Sequence, residues 1–398
     1  MNGSKQEMTA PERAAGRVLG LDMHPDSFTA AALLGPNAMD AQVEWVHDHL
    51  PQERLEKWLQ KYVEPRDLIV IEASGNTFHT VERIRTCGYN AVVLEPLRAS
   101  QVRKAYCTTD KISAVKLARV YLSGLAVEVW TPDEKTRERR EVLHAHRRAV
   151  QDTTRGRNRI RSWMNQFGIR RRKGLRLSDQ SGRQWVLEQR EWSCTQRLLI
   201  DQMFNDLWQA EARRKKLRQV MAEEVATDTE LLKLNRLFGI HVIAAYALAA
   251  VIGDIHRFRT PRKLAAYLGF SPNINRSGLG KRDGGSSPWG CGEMRRILIQ
   301  AAKTIMRYDN TPLHRWALAL ACRKGRNLAA FAVARKLTVA VWYLLKGFFS
   351  PLTEPTPLLR RKLEKLGKEV GKTRLVELGY RNSGVFRDQK MTILIGNT

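Results

Sequence analysis

Val18-Leu19-Gly20-Leu21-Asp22 and Asp67-Leu68-Ile69-Val70-Ile71-Glu72 are short apolar runs that each end in an acid, and Asp110 opens a third, amphipathic stretch. Runs of this length, rich in Val, Ile and Leu and bounded by polar residues, read as buried strands. Taken singly, each acid has an ordinary explanation: Asp22 as a turn residue, Glu72 as a cap for the helix that follows, Asp110 as an N-cap ahead of Ala114 to Leu122. An acid directly after Ile-Val-Ile nevertheless has little reason to be there unless it reaches a metal or a substrate. Together, at strand ends on one edge of a sheet, the three point to a shared site.

Around these acids the chain alternates. His24-Pro25-Asp26-Ser27 is turn chemistry, so Phe28 to Leu34 can return as a hairpin partner, and Glu44-Trp45-Val46 adds a third strand. Helical signals at Pro51 to Tyr62 and Thr77 to Thr86 flank the strand at Leu68 to Ile71, and a further strand at Ala91 to Leu94 is closed by Pro96. The pattern predicts a mixed α/β sheet with helices packed on it. It is the pattern of an RNase H-like fold, in which a first strand carries one acid, a later strand ends in a second and a helix adds the rest. Such a set holds divalent metal ions against a phosphodiester.

From about Pro132 to Glu224 strand signals vanish, and Ile160, Trp163, Met164 and Phe167 fall on one helical face. Long helices are expected, paired as a coiled coil with a turn near Gly168 to Gly174. The segment is strongly basic: Arg155, Arg157, Arg159 and Arg161 alternate, and Arg170-Arg171-Arg172-Lys173 form a block. A solvated helix face is the bland reading of such a run, and an arm that contacts phosphates is the sharper one.

From about Asp228 to Gly347 the chain reads as helical again, with helices at Val242 to Ile252, Pro261 to Leu268, Glu293 to Met306 and Leu328 to Leu345. They are interrupted by a Gly- and Ser-rich loop, Gly269 to Gly292, and a loop of that length inside a helical domain is more often functional than decorative. Within it Ser277 lies between Arg276 and the pair Lys281-Arg282, well placed to meet a phosphate, although a serine beside glycine is by itself usually a turn residue. The expected organisation is an extension at 1–15, an acid-bearing domain at 16–131, a coiled-coil linker at 132–227, a serine-bearing domain at 228–347 and a basic tail at 348–398.

A net charge of +28 over 398 residues exceeds what solubility needs. Its natural counterpart is nucleic acid, a polyanion with one charge every ~1.7 Å. With 43% hydrophobic residues the chain builds real cores and is not a disordered basic tail. Cys87, Cys107, Cys194, Cys291 and Cys322 are scattered without a C-x-x-C pair, which argues against a disulfide framework or a zinc site and leaves them as buried small hydrophobes. Met1 to Arg17 lacks the apolar core of a signal peptide. Ile240 to Ile252 is too short to span a bilayer, and Leu328 to Phe349 is interrupted by Arg335 and Lys336. A protein of the bacterial cytoplasm without a membrane partner is expected.

The motifs in this order resemble the DEDD transposases of bacterial insertion sequences, the bridge-RNA-guided recombinases. The resemblance covers about residues 16 to 347. It rests on Gly20-Leu21-Asp22, Ile71-Glu72-Ala73-Ser74-Gly75 and Thr109-Asp110-Lys111-Ile112-Ser113-Ala114 in the first part. In the second part it rests on Phe238-Gly239-Ile240, Ile252-Gly253-Asp254-Ile255-His256-Arg257-Phe258, Leu264 to Pro272, Arg276-Ser277-Gly278 and Met294-Arg295-Arg296. The second set is the more specific, because several spaced motifs recur together.

The resemblance implies a RuvC-like domain joined through a coiled coil to a mainly α-helical transposase domain. It implies that Asp22, Glu72 and Asp110 hold Mg²⁺ and that Ser277 attacks DNA and becomes covalently linked to it. Arg276, Lys281 and Arg282 would add electrostatic stabilisation. A structured guide RNA would pair with donor and target DNA, and an oligomer, a dimer or tetramer, would supply the several active sites that strand exchange needs. One position departs from the family pattern: the fourth acid, three residues after Asp110, is Ser113, a neutral and weaker ligand, so that the site tolerates the change, borrows an acid from elsewhere or is disabled. Two rival readings stand beside this one: a RuvC-like nuclease that hydrolyses branched DNA with Ser277 as a loop residue, and a nucleic-acid-binding protein with a decayed metal site.

Overall fold

The computed structural model describes residues 17–96, 109–277, 280–286, 290–308, 312–348 and 356–395, with the backbone alone for 272–286. The chain divides into two compact units, Met1–Pro132 and Asp133–Thr398.

The first unit is built on a six-stranded sheet in the order β3-β2-β1-β4-β5-β6, formed by β1 Val18–Met23, β2 Ser27–Leu34, β3 Gln42–Pro51, β4 Leu68–Glu72, β5 Asn90–Leu94 and β6 Glu128–Val129. The central strands β1, β4 and β5 run parallel, while β2, β3 and β6 join antiparallel. Leu19, Leu21, Ile69, Ile71 and Val93 pack on one face against Leu55, Trp58 and Leu59 of helix α1 (Leu55–Tyr62) and Val81 and Ile84 of helix α2 (Thr77–Thr86). Val18, Val70 and Leu94 pack on the other face against Ala114, Leu117 and Ala118 of helix α3 (Asp110–Leu122). Helices on both faces explain why these strands are apolar at every position rather than alternately. Side chains alternate along a strand, so Asp22 shares the α3 face with Val18, and Glu72 shares it with Val70.

Two long antiparallel helices open the second unit, α4 (Glu134–Gln166) and α6 (Cys194–Thr227), with the short α5 (Gln180–Leu187) between them. Each is about 50 Å long at 1.5 Å per residue. Asp133 caps the first through the Thr136 amide at 2.9 Å, and Ser193 with Gln196 forms a capping box on the second. Ile160, Met164, Phe204 and Leu207 fill the seam near the far end. Ion pairs from Arg139 to Glu224 at 2.7 Å and from Arg159 to Asp206 at 3.3 Å set the antiparallel register.

The rest of this unit is a helical core around α8 (Val242–Ile252), whose residues are nearly all buried, with α7 (Thr229–Asn235), α9 (Pro261–Tyr267), α10 (Gly292–Tyr308), α11 (Pro312–Lys324) and α12 (Arg326–Leu345). Among the described residues, α12 is long and apolar enough to cross a membrane by length and composition, Arg335 and Lys336 notwithstanding. It instead packs Val333, Ala334, Leu337 and Val341 into the core.

Three sequence expectations need correction. The segment read as an irregular loop from Gly269 to Gly292 contains a β-hairpin, β7 Pro272–Ser277 with β8 Gly280–Ser286, which pairs Arg276 with Lys281 and Ser277 with Gly280. Its glycines, depleted in strands, hid the pairing from a reading by residue type. The supposed basic tail holds three helices, α13 (Thr356–Val370), α14 (Lys372–Glu377) and α15 (Ser383–Ile395). Leu359, Leu363, Leu366 and Val370 recur at helical spacing and join the core with Phe386, while the Lys and Arg between them obscured the stripe. Of the cysteines expected to be buried, Cys194 and Cys322 are exposed and Cys87 and Cys291 half-buried, with Cys107 outside the described residues.

Candidate metal and nucleic-acid site

The acid site begins with a glycine. A Cβ at Gly20 would lie 1.9 Å from the Ala114 carbonyl oxygen, so only glycine lets the α3 backbone rest directly on β1. One helical turn before Ala114 stands Asp110, and two residues after Gly20, on the same face, stands Asp22. Ligand atoms of Asp22, His24 and Asp110 all lie within 4.8 Å of one another. Glu72 ends the neighbouring parallel strand on the same face but lies outside that group, and Ser113 is half-buried in the first turn of α3.

The ordinary explanations for these acids do not describe their places. Asp22 sits within β1, paired with Thr29 of β2, rather than in a turn. Thr109 is the N-cap of α3, accepting from the Ile112 amide at 3.4 Å, which leaves Asp110 as the first helical residue. The helix after β4 has Asn76, not Glu72, as its N-cap, and the Glu72 carbonyl accepts from the Thr77 hydroxyl at 2.8 Å.

His24 is the member that sequence reasoning missed. Its imidazole Nε2 is 3.4 Å from Asp110 Oδ2; that atom is buried and makes no hydrogen bond among the described residues. His24 lies just past the end of β1, where His24-Pro25-Asp26-Ser27 reads as turn chemistry and gives no sign of a ligand. The turn holding His24 is pinned: its carbonyl accepts from Gln52 Nε2 at 2.6 Å and Asn76 Nδ2 at 3.3 Å. Two carboxylates and an imidazole with an orphaned nitrogen are a donor set that fits a divalent cation.

A second group of ligand atoms, from Asp48, His49 and Asp110, adjoins the first. Asp48 is already compensated: it accepts from the Thr29 hydroxyl at 2.8 Å, and Lys111 Nζ is 3.2 Å away and His49 Nδ1 2.9 Å. The Thr29 hydrogen bond, then Lys111 and His49, hold its carboxyl below the usual carboxylate range. A cation there would have to displace Lys111, so the first group is the better place for a metal.

In the second unit the serine hairpin rises from a narrow neck. The two chain ends meet where a Cβ on Gly290 would come 2.6 Å from the Gly269 Cα, and Gly269 itself has a positive φ of 87°. Arg295 of α10 donates from Nε to the Gly269 carbonyl at 2.8 Å, and the Cys291 amide to the Tyr267 carbonyl at 3.0 Å. Ser277 lies at the far end of β7, Arg276 next to it, and Lys281 and Arg282 on β8; the side chains of these residues fall outside the described ones.

The basic residues of the long helices divide into two groups. Arg157 pairs with Glu211 and Arg159 with Asp206, both on α6, while Arg155 faces Asp152 on its own helix at 3.7 Å. Arg161 is exposed, and Arg170, Arg171, Arg172 and Lys173 are all exposed in the loop beyond α4. Among the described residues, that loop is the larger positive patch of the set without a paired acid.

A family model described as Transposase IS116/IS110/IS902 family matches residues 232–319. Another, a transposase model named for DEDD and IS110, matches residues 19–169. Among curated proteins, the "Probable family 20 transposase" of Pseudomonas aeruginosa is 27% identical over 289 residues, 71% of this chain and 84% of that protein. The "Transposase for insertion sequence element IS1111A" of Coxiella burnetii is 22% identical over 285 residues, 70% of this chain and 77% of that protein. The corresponding transposase for IS1328 of Yersinia enterocolitica is 22% identical over 282 residues, 70% and 83%. The DEDD match points to divalent-metal use, with which the acid cluster is compatible. Asp22, Glu72 and Asp110 fall inside one match and the serine hairpin inside the other, and the chain is a transposase enzyme, acting on DNA, similar to the DEDD transposases of insertion sequences.

Proposed function

We propose that this transposase is an RNA-guided recombinase that excises and inserts its element through phosphoserine intermediates, acting as a dimer or tetramer in the bacterial cytoplasm. The observation that carries the reading is the convergence of Asp22 and Asp110 on one face of the sheet, with Glu72 on that face of the next strand. The strand order β3-β2-β1-β4-β5, with β1, β4 and β5 parallel, supports an RNase H-like domain at 16–131. The long helices at 132–227 serve as the coiled-coil arm. The core from 228 to 347, extended by the helices after residue 355, carries the serine hairpin.

In the proposed step the Ser277 hydroxyl attacks a backbone phosphorus and loses its proton, while the bond to one sugar oxygen breaks and that oxygen leaves as a free hydroxyl. One phosphodiester thus becomes a phosphoserine ester plus a sugar hydroxyl, and reversal with a different hydroxyl rejoins strands without net hydrolysis. Mg²⁺ held by Asp22, Glu72 and Asp110 would supply charge neutralisation at the phosphate and lower the pKa of a reacting hydroxyl. Arg276, Lys281 and Arg282 stabilise charge that develops on the phosphoryl oxygens. Base pairing by a structured RNA reads donor and target sequence, which leaves the protein to grip backbone and shape. The exposed Arg170 to Lys173 block suits that grip.

Trapping tests the reading. The full chain, its RNA and end-labelled donor DNA are incubated with Mg²⁺ and resolved on a denaturing gel. A protein–DNA adduct is expected for the wild type and its loss for Ser277→Ala, with nucleic-acid binding retained. Metal-dependent cleavage that leaves no adduct would replace the recombinase with a RuvC-like nuclease, and binding without cleavage would replace it with a decayed binder.

A further inference from the structure

On the resemblance to the DEDD transposases the acid site as proposed is short of a ligand, because Ser113 stands where a fourth acid is expected. Three groups near it could make up the difference, and the geometry separates them. Ser113 offers only a neutral hydroxyl, a weak donor to a hard cation. Asp48 is compensated by Lys111 at 3.2 Å and by the Thr29 hydroxyl at 2.8 Å. His24 has neither difficulty: its Nε2 is buried, makes no hydrogen bond among the described residues, and lies within 4.8 Å of ligand oxygens from both Asp22 and Asp110.

The 3.4 Å separation between Nε2 and Asp110 Oδ2 is longer than a well-formed N–H···O bond, whose usual length is ~2.9–3.0 Å. It is a natural spacing for two ligand atoms that approach one ion from different sides. The backbone supports the same role. The His24 carbonyl is tied by Gln52 and Asn76, its amide donates to the Ser27 carbonyl at 2.9 Å, and the Gln52 amide donates to Asp26 at 3.1 Å. A ring carried on a turn fastened from two other segments is held in position before any ion arrives.

We propose that His24 is a nitrogen ligand to the divalent cation held by Asp22 and Asp110, filling the place that Ser113 leaves. The inference rests on the metal-site reading above and adds a consequence for selectivity. An all-oxygen set suits Mg²⁺, whereas imidazole favours the transition metals. This chain therefore prefers Mn²⁺ to Mg²⁺ more strongly than an all-carboxylate site would.

Pulsed electron paramagnetic resonance of the full-length protein loaded with Mn²⁺ alone reads the ligand directly, without any DNA reaction. A ¹⁴N coupling of directly bound imidazole is expected in the wild type and is expected to vanish in His24→Gln. Mn²⁺ affinity should fall by at least ~10-fold, the lower end of what losing even an outer-shell partner costs, and Mg²⁺ affinity should fall less. His24→Asp, which returns a carboxylate to the same turn, should bind Mn²⁺ without nitrogen coupling and narrow the Mn²⁺ preference. Tight Mn²⁺ binding with no nitrogen coupling in the wild type, or a coupling that survives both substitutions, would overturn the assignment of His24 and leave the acid site standing. Wild type that binds Mn²⁺ no better than Asp22→Asn would overturn the acid site itself.

Discussion

At Gly20 a single added methyl group would sit 1.9 Å from the Ala114 carbonyl and 3.0 Å from the Ala118 amide nitrogen, both backbone atoms that cannot rotate away. Gly20→Ala therefore has to lift α3 from β1, which moves Asp110 relative to Asp22. Overpacking of this kind costs about 1–3 kcal/mol. A lower thermal midpoint and loss of the DNA adduct are expected, while Gly75→Ala, where nothing lies within 4 Å of the added carbon, should leave both unchanged. Equal adduct yields from the two variants would contradict the positioning role of Gly20. The acids were legible in the sequence because a carboxylate closing an apolar strand conflicts with burial unless it is used. Gly20 and His24 were not, since a strand glycine and a histidine followed by Pro-Asp-Ser read as ordinary strand and turn chemistry; only the close approach of α3 gives them meaning.

The long helices show what a charge run means once it has neighbours. Alternating arginines at 155 to 161 invite a phosphate-binding reading, but Arg157 and Arg159 are engaged with Glu211 and Asp206 across the hairpin, partners remote in sequence and invisible to a local pattern. The exposed block Arg170 to Lys173 has no such partners among the described residues. Replacing those four residues together with glutamine should weaken nucleic-acid binding uniformly and flatten its salt dependence by about one unit of slope per lost contact. Arg157→Ala and Arg159→Ala should lower hairpin stability and leave the slope nearly unchanged, and the reverse assignment of effects would mean the helix face, not the loop, touches phosphate. The same elements explain what the sequence hid elsewhere. Strand pairing at 272–286 was concealed by glycines, and the helices after residue 355 by the lysines and arginines that alternate with their buried leucines.

For the whole molecule, a large positive charge must coexist with a folded helical core, and His146, like His241, is a place where the two meet. It is only 6% exposed on α4, and its pKa is lowered first by burial and then by Arg218 and Arg214 of α6. The folded state therefore keeps it neutral at pH values where an unfolded chain, titrating near ~6.5, would protonate it. Its share of stability is complete above about pH 6.5 and is lost as pH falls from there toward the depressed folded value. The urea midpoint should drop between about pH 7.5 and 5.5, and His146→Leu should flatten that drop; an unchanged pH slope in the variant would move the acid sensitivity to other groups.

The proposed reaction needs both the acids of the first unit and the serine of the second. Its most direct test is mass-spectrometric mapping of the trapped protein–DNA adduct after nuclease and protease digestion, with Asp22→Asn and Asp110→Asn measured alongside the wild type. The expected result is a nucleotide mass on the peptide containing Ser277, reduced by orders of magnitude when either acid is removed. A nucleotide on Ser271, Ser286 or Ser287 instead, or an adduct on Ser277 that forms undiminished without Asp22 and Asp110, would contradict it.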